Sequence, residues 1–487
     1  MFKTFKDQFT IIFILGIVLY LPLMNFFNAW YDEQYSLYLT NLSWKEMFHA
    51  IITEDSHPPL HYILLRLWMT GTDFHNVGWA RLLNLIIVSL TALLGAFPVR
   101  RLAGEKVALW FTGLTFLFPT TLWLATNMRM YALVNLEITA LVIYSLLILK
   151  EGRKGDWWMF LFLGLILPYT HYFGCLALAF INISLFFAFL CKKENLKENL
   201  IKLFSCACFI GITFLPWFIF VFLRQASFMY DKWFVTLAAV KSSLRMLFFP
   251  FISRNGNFID SITILFMSLC WLLLFQYSFD KKNTERRFLA FLPTALFFEV
   301  IFAGIVLSLL FRPILVWRYM TPFMGGIIFA LSIVLVNEKR FKKIFIILGI
   351  LCYIGMYAGL YSVVHSTLYQ QIQQNIPKAY SAKNTIFLCD DMGAGMLIQF
   401  YLPEYTWQRV PSNEELAIPK QLMYRQIIDE ENLNTKNILF LTHRLICEEP
   451  LEDNYDHFRK LCLIQLSVDD AKKMIANSEK IIYNELH

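Results

Sequence analysis

Residues 30–62, WYDEQYSLYLTNLSWKEMFHAIITEDSHPPLHY, follow a single apolar run, and their reading decides the rest of the chain. Asp32 and Glu33 are adjacent acids placed where a first membrane helix should end. Glu54 and Asp55 come about one loop later, and His57-Pro58-Pro59 then opens a second apolar segment. Ionisable groups beside a bilayer are costly, so two acidic pairs and a histidine there mark a site. The alternative is a solvated loop with ordinary helix caps.

Outward from this stretch the chain is strongly apolar. Of its 487 residues 57% are hydrophobic and only 16% charged, with 48 Phe. Soluble domains average about 25% charged residues. Repeated apolar runs are long enough to cross roughly 30 Å of hydrocarbon, so the expected protein is a polytopic membrane bundle, mainly α. Spans are expected at 9–28, 79–98, 107–124, 131–149, 157–171, 173–190, 202–223, 259–279, 288–310, 318–336 and 343–363, about eleven in all. The first has Lys3 and Lys6 before it but no clear small-residue cleavage site after it, which reads as a retained span and not a signal peptide. Residues 57–70 are too short to cross and read as an interfacial or re-entrant helix on the outer side.

Lys and Arg gather in alternate loops: Arg100, Arg101 and Lys106; Lys150, Arg153 and Lys154; Lys192, Lys193, Lys197 and Lys202; Lys281, Lys282, Arg286 and Arg287; Lys339, Arg340, Lys342 and Lys343. The rich loops, with the N-terminus, are therefore expected in the cytoplasm. That puts the first loop, 29–78, a second long loop, 224–258, and the C-terminal tail outside. The net charge of +7 is accounted for by these loops and not by a nucleic-acid surface. In 224–258, Phe228, Tyr230, Trp233 and Phe234 suit the headgroup layer.

Two domains are expected: 1–365 in the membrane and 366–487 as a small extracytoplasmic α/β domain. In the tail, residues 384–389 (NTIFLC), 437–442 (NILFLT) and 480–483 read as strands, and 394–402 and 469–476 as helices. Asp390-Asp391-Met392-Gly393 is a turn that either caps the next helix or binds a ligand. Nine cysteines show no CxxC; Cys389, Cys447 and Cys462 in the tail leave one disulfide open.

The charged residues at outer span ends carry the functional reading. A partly desolvated carboxylate such as Asp32 makes a competent general base, with Glu33 assisting or orienting it. Proline after His57 pushes that residue to extended geometry, projecting His57 and Asp55 towards the space of Asp32. Asp32, Asp55 and His57 are a candidate metal set; the alternative there is a capped interfacial helix. Arg129, beside Tyr131, and Arg318, beside Tyr319, stand where positive charge is disfavoured for topology, and an arginine fork matches phosphate oxygens. Snorkelling to headgroups is the alternative for each. His171 also lies at an outer span end, as a site group or a packed histidine.

In order, these motifs resemble the integral-membrane glycosyltransferases of the C superfamily, above all the protein O-mannosyltransferase and aminoarabinose-transferase-like group. The matching features are Asp32-Glu33 after the first span, His57-Pro58-Pro59-Leu60-His61-Tyr62, Arg81-Leu82-Leu83-Asn84, Arg129-Met130-Tyr131-Ala132-Leu133, Thr170-His171-Tyr172 and Arg318-Tyr319. They cover about residues 10–340. The chain departs from the group at Asn127-Met128, where members often carry an acid.

The resemblance implies a multi-pass plasma (inner) membrane enzyme. It would transfer a sugar from a polyprenyl-phosphate donor to a glycan, lipid or protein acceptor at the outer face, with no required cofactor. It places Asp32 at the reaction centre with Glu33 supporting, and Arg129 and Arg318 on the donor phosphate. Tyr131, Tyr319, His171 and His57 would line the substrate site. A lipid-linked-glycan flippase and a cell-wall polymer polymerase or ligase are the competing functions. No nucleotide is expected, since no Gly-rich phosphate cradle is present.

Overall fold

The computed structural model describes residues 4–24, 29, 31–53, 55–73, 75–226, 240–241, 243–248, 257–278, 284–311, 313–364, 377–389, 395, 398, 401–402, 404–410, 436–442 and 462–473. Glu54, Phe228, Tyr230, Trp233, Phe234, Asp390 to Gly393, Cys447 and the expected strand at 480–483 lie outside them.

The protein is a mainly helical membrane bundle. It runs α1 (Phe5–Tyr20), α2 (Tyr31–Asn41), α3 (Trp44–Thr53), α4 (Leu60–Met69), α5 (Val77–Leu93), α6 (Arg100–Ala103), α7 (Glu105–Leu117), α8 (Pro119–Thr126) and α9 (Tyr131–Lys150). It continues with α10 (Lys154–Thr170), α11 (Tyr172–Lys192), α12 (Leu196–Trp217), α13 (Asn257–Ser278), α14 (Thr284–Leu310), α15 (Met324–Asn337) and α16 (Lys342–Val364). Among the described residues, eight helices are long and apolar enough to cross a membrane, or nine if α7 and α8 form one bent span. The expected spans at 157–171 and 343–363 fall on α10, 17 residues long, and α16. The centre of the bundle is α9 and α15, whose apolar windows are each 89% buried; most other spans keep a lipid-facing side.

Proline shapes the helices that reach the site. Phe118 precedes Pro119 and is extended, as a residue before proline prefers, and α7 and α8 meet at 62°. The bend aims the end of α8 at Asn127-Met128-Arg129. Pro98 lies within the π-turn Gly95–Val99, which carries α5 into α6.

The first loop holds three helices where the sequence suggested one. The two acids therefore sit in the first turn of α2, and not at the end of α1, where the positive end of the helix dipole favours them. Ser43 and Glu46 form a reciprocal capping box at the start of α3: Ser43 Oγ accepts from the Glu46 N–H (3.3 Å) and Glu46 Oε2 from the Ser43 N–H (2.9 Å). Arg66 of α4 donates to the carbonyls of Thr40 (2.8 Å) and Leu42, holding the orphan end of α2.

The tail contains a four-stranded sheet of β1 (Thr385–Cys389), β2 (Thr406–Arg409), β3 (Asn437–Thr442) and β4 (Cys462–Leu466), in the order β2-β1-β3-β4. β1 is parallel to both neighbours, and β4 runs antiparallel to β3. β1 and β3 match the expected apolar runs. β2 and β4, at four and five residues, are too short and too mixed to stand out by pattern. Cys389 is buried in β1. The sheet packs on the first loop: one apolar core joins Leu37, Leu65 and Met128 to Phe387, Leu402 and Leu439. The tail and the acidic loop therefore stand on the same side of the bundle.

Candidate active site

Asp32 is at the centre of the cluster. Its Oδ2 lies 3.7 Å from Arg318 Nη1, with both side chains 15% exposed. Arg318 arrives on a 3-10 turn, Trp317–Tyr319. Trp317 packs on Trp123 at a ring separation of 5.1 Å, and the Thr321 hydroxyl donates to the Arg318 carbonyl (2.8 Å). An ion pair that is long and partly open is weak, so either partner is free to exchange it for a ligand.

Arg129 lies beneath, buried. Its Nη1 donates to Ser36 Oγ (2.8 Å), Tyr62 Oη (3.0 Å) and the Asp32 carbonyl (3.3 Å). Burial works against its charge, but the acidic groups around it, Tyr62, Asp32, Tyr131 and Asp55, outweigh this, and it stays protonated. Its Nε has no hydrogen-bond partner among the described residues. Asn127 turns its Oδ1 to the Arg129 backbone N–H (3.1 Å). The partners of Arg129 come from α2 and α4 instead.

His57 Nδ1 is 3.1 Å from Asp55 Oδ1. Burial lowers the affinity of the His57 ring for a second proton despite the opposing pull of Asp55. Burial pushes the Asp55 carboxyl up, but the hydrogen bond from His57 and the charge of Arg129 hold it below its usual range. The pair is a carboxylate and a neutral imidazole, with Nδ1–H on Asp55 and Nε2 left as an acceptor. Arg129 Nη2, 3.4 Å from the same Nδ1, is then a contact between donors.

His171 interrupts α10 and α11 in extended geometry, and its Nδ1 accepts from the Phe173 N–H (3.1 Å). Its Nε2 therefore carries the proton, and that atom has no hydrogen-bond partner among the described residues; neither has the Tyr131 hydroxyl. Tyr319 packs edge-on to His171 at 4.9 Å, and His57 is 5.8 Å from His171 between ring centres. Asp32, Arg129, Tyr131, Arg318, Tyr319, His171 and His57 thus share one cluster.

Glu33 faces away from it. Its Oε2 accepts from Arg81 Nη2 (2.8 Å) and its Oε1 from Arg81 Nε (3.3 Å) and the Met128 N–H (2.9 Å). Both members of the pair are 0% exposed. Glu33 holds the fold behind Asp32. Asn84, one turn on from Arg81, donates to the carbonyls of Arg129 (2.9 Å) and Asn127. The sequence showed Arg81 and Asn84 only as part of a motif; their i, i+3 spacing, which puts both on one face of α5, was the usable signal.

Among the described residues no group of three His, Cys, Asp or Glu is placed to hold a metal ion, the set Asp32, Asp55 and His57 included. His57 Nδ1 is taken by Asp55, and two guanidinium groups stand among these residues, where a divalent cation would be repelled.

No protein-family model and no curated protein matches the chain. Among solved structures, ArnT from Cupriavidus metallidurans in the apo state overlays with a TM-score of 0.60 at 13% identity, covering 93% of this chain and 97% of that one. The same protein bound to undecaprenyl phosphate overlays at 0.58, with 13% identity and coverage of 93% and 97%. The oligosaccharyltransferase of Archaeoglobus fulgidus, in complex with Zn and sulfate, gives 0.43 at 10% identity, covering 89% of this chain and 68% of that one. The chain therefore shares the overall fold of ArnT along nearly its whole length.

Proposed function

We propose that the protein transfers a sugar from a polyprenyl-phosphate donor to an acceptor hydroxyl at the outer face of the plasma membrane. The observation that carries this reading is the meeting of one partly open carboxylate, Asp32, with two guanidinium groups, Arg318 and Arg129. The ArnT structure with undecaprenyl phosphate shows the same fold with a lipid phosphate bound. With the basic loops in the cytoplasm, the N-terminus is inside and the cluster and the tail sheet are outside.

The donor phosphate displaces Asp32 from Arg318, the more open of the two arginines. Arg129 adds its charge from below. Asp32, released, accepts the proton of the acceptor hydroxyl as that oxygen bonds to the anomeric carbon. The bond from that carbon to the phosphate oxygen breaks, and its electron pair leaves on the lipid phosphate. The leaving phosphate gains one negative charge, and the guanidinium groups stabilise it where it develops. The His171 Nε2–H and the Tyr131 hydroxyl supply further donors to the bound headgroup. A single displacement of this kind inverts the anomeric centre.

The test incubates purified protein with a radiolabelled polyprenyl-phosphate sugar and envelope acceptors. Release of free lipid phosphate with label on the acceptor is expected. Movement of intact donor between leaflets without release would favour a flippase instead.

A further inference from the structure

The tail reaches the start of α2 through Tyr401, which precedes β2. The Tyr401 hydroxyl donates to the carbonyl of Ala29 (3.1 Å), three residues before Asp32, and the same carbonyl accepts from Gln34 Nε2 of α2 (2.7 Å). Tyr401 is buried, and its hydroxyl stands in the field of Arg81 and Glu33. The apolar core around it reaches the three pieces that carry one half of the site: α2 through Leu37, α4 through Leu65, and the Arg129 loop through Met128. Arg318 belongs to the other half, on the turn between α14 and α15, and that core does not include it.

We infer that the tail domain is a brace for the catalytic helix, and that Tyr401 is a positioning residue that sets how Asp32 faces Arg318. This rests on the transferase reading for its effect on rate, but not for the brace itself. A weak pair 3.7 Å apart keeps its geometry best when both halves are held from behind. Tyr401 ties the start of α2 to the apolar core that also holds Phe387 and Leu439 of the sheet, so that half is held as one body. Without the hydroxyl, the Ala29 carbonyl keeps Gln34, so the fold survives while the start of α2 loosens.

The experiment compares full-length wild type, Tyr401→Phe and Tyr405→Phe. Tyr405 donates to the Tyr380 carbonyl (2.6 Å) within the tail and serves as a matched loss of one hydrogen bond away from Ala29. In Tyr401→Phe, amide exchange across residues 31–37 is expected to rise about three- to tenfold, and kcat to fall by a similar factor with donor KM unchanged. Tyr405→Phe should change neither. Unaltered exchange at 31–37 in Tyr401→Phe overturns the brace. Faster exchange with wild-type kcat overturns its positioning role. If wild type itself transfers no sugar, the transferase reading fails while the exchange arm still judges the brace.

Discussion

Asp32 and Glu33 are neighbours on one helix, yet they occupy opposite environments. Glu33 is sealed, 0% exposed and doubly bonded to Arg81, whereas Asp32 is 15% exposed and stands 3.7 Å from Arg318. Successive side chains on a helix point about 100° apart, so two adjacent acids need not share a task. The difference separates scaffold from chemistry. A buried bidentate pair costs much to break and cannot change partners readily. A long, half-open pair is weak in itself and ready to be replaced by substrate.

The largest test breaks that comparison at its centre. Asp32→Asn should lower kcat by about 10²–10⁴-fold, the range of a general base, with unchanged thermal stability in detergent. Glu33→Ala should do the reverse. It leaves the buried Arg81 charge without its carboxylate and should cost about 3–5 kcal/mol of stability, read as a loss of folded protein before any specific kinetic effect. Equal stability losses in both variants would mean that the two acids do not divide the work. Next, Arg318→Ala should weaken donor binding by about ten- to a hundredfold, as for a lost charged hydrogen bond, measured by titration with polyprenyl phosphate.

The smallest expected effect is on pH. His61, in the sealed region, donates from Nε2 to the Met128 carbonyl (3.0 Å), and burial pushes its pKa down to about 3. The unfolded chain binds the proton near 6.5, so stability is present above that pH and falls as the solution is acidified towards the folded value. Between pH 7 and pH 5 the loss should be about 2 kcal/mol, seen as a falling melting temperature. A His61→Gln variant should show a shallower slope. An identical slope would place the acid sensitivity elsewhere.

Much of this was legible in the sequence. Apolar runs placed the helices, and ionisable residues at span ends marked the cluster, because both signals are local and strong. The partners of Arg129 were not legible: Ser36 and Tyr62 lie 93 and 67 positions away and carry no pattern of their own. Glu33 was paired with Asp32 by adjacency, and only the fold shows that Arg81 claims it. In the tail, β1 is buried and Ile438, Leu439 and Phe440 form a buried apolar run in β3, while β2 reads TWQR and hides among turns.

The central claim is that an open aspartate and two arginines meet around one lipid phosphate at the outer face. Its most direct test is a cryo-electron microscopy map of the protein in lipid nanodiscs with polyprenyl phosphate. The headgroup is expected against Arg318 at hydrogen-bonding distance, about 3 Å, with Asp32 turned off that arginine and beside the phosphate. A headgroup seated at the other end of the bundle, near Arg100 and Lys150, with the Asp32–Arg318 pair undisturbed, would contradict the account.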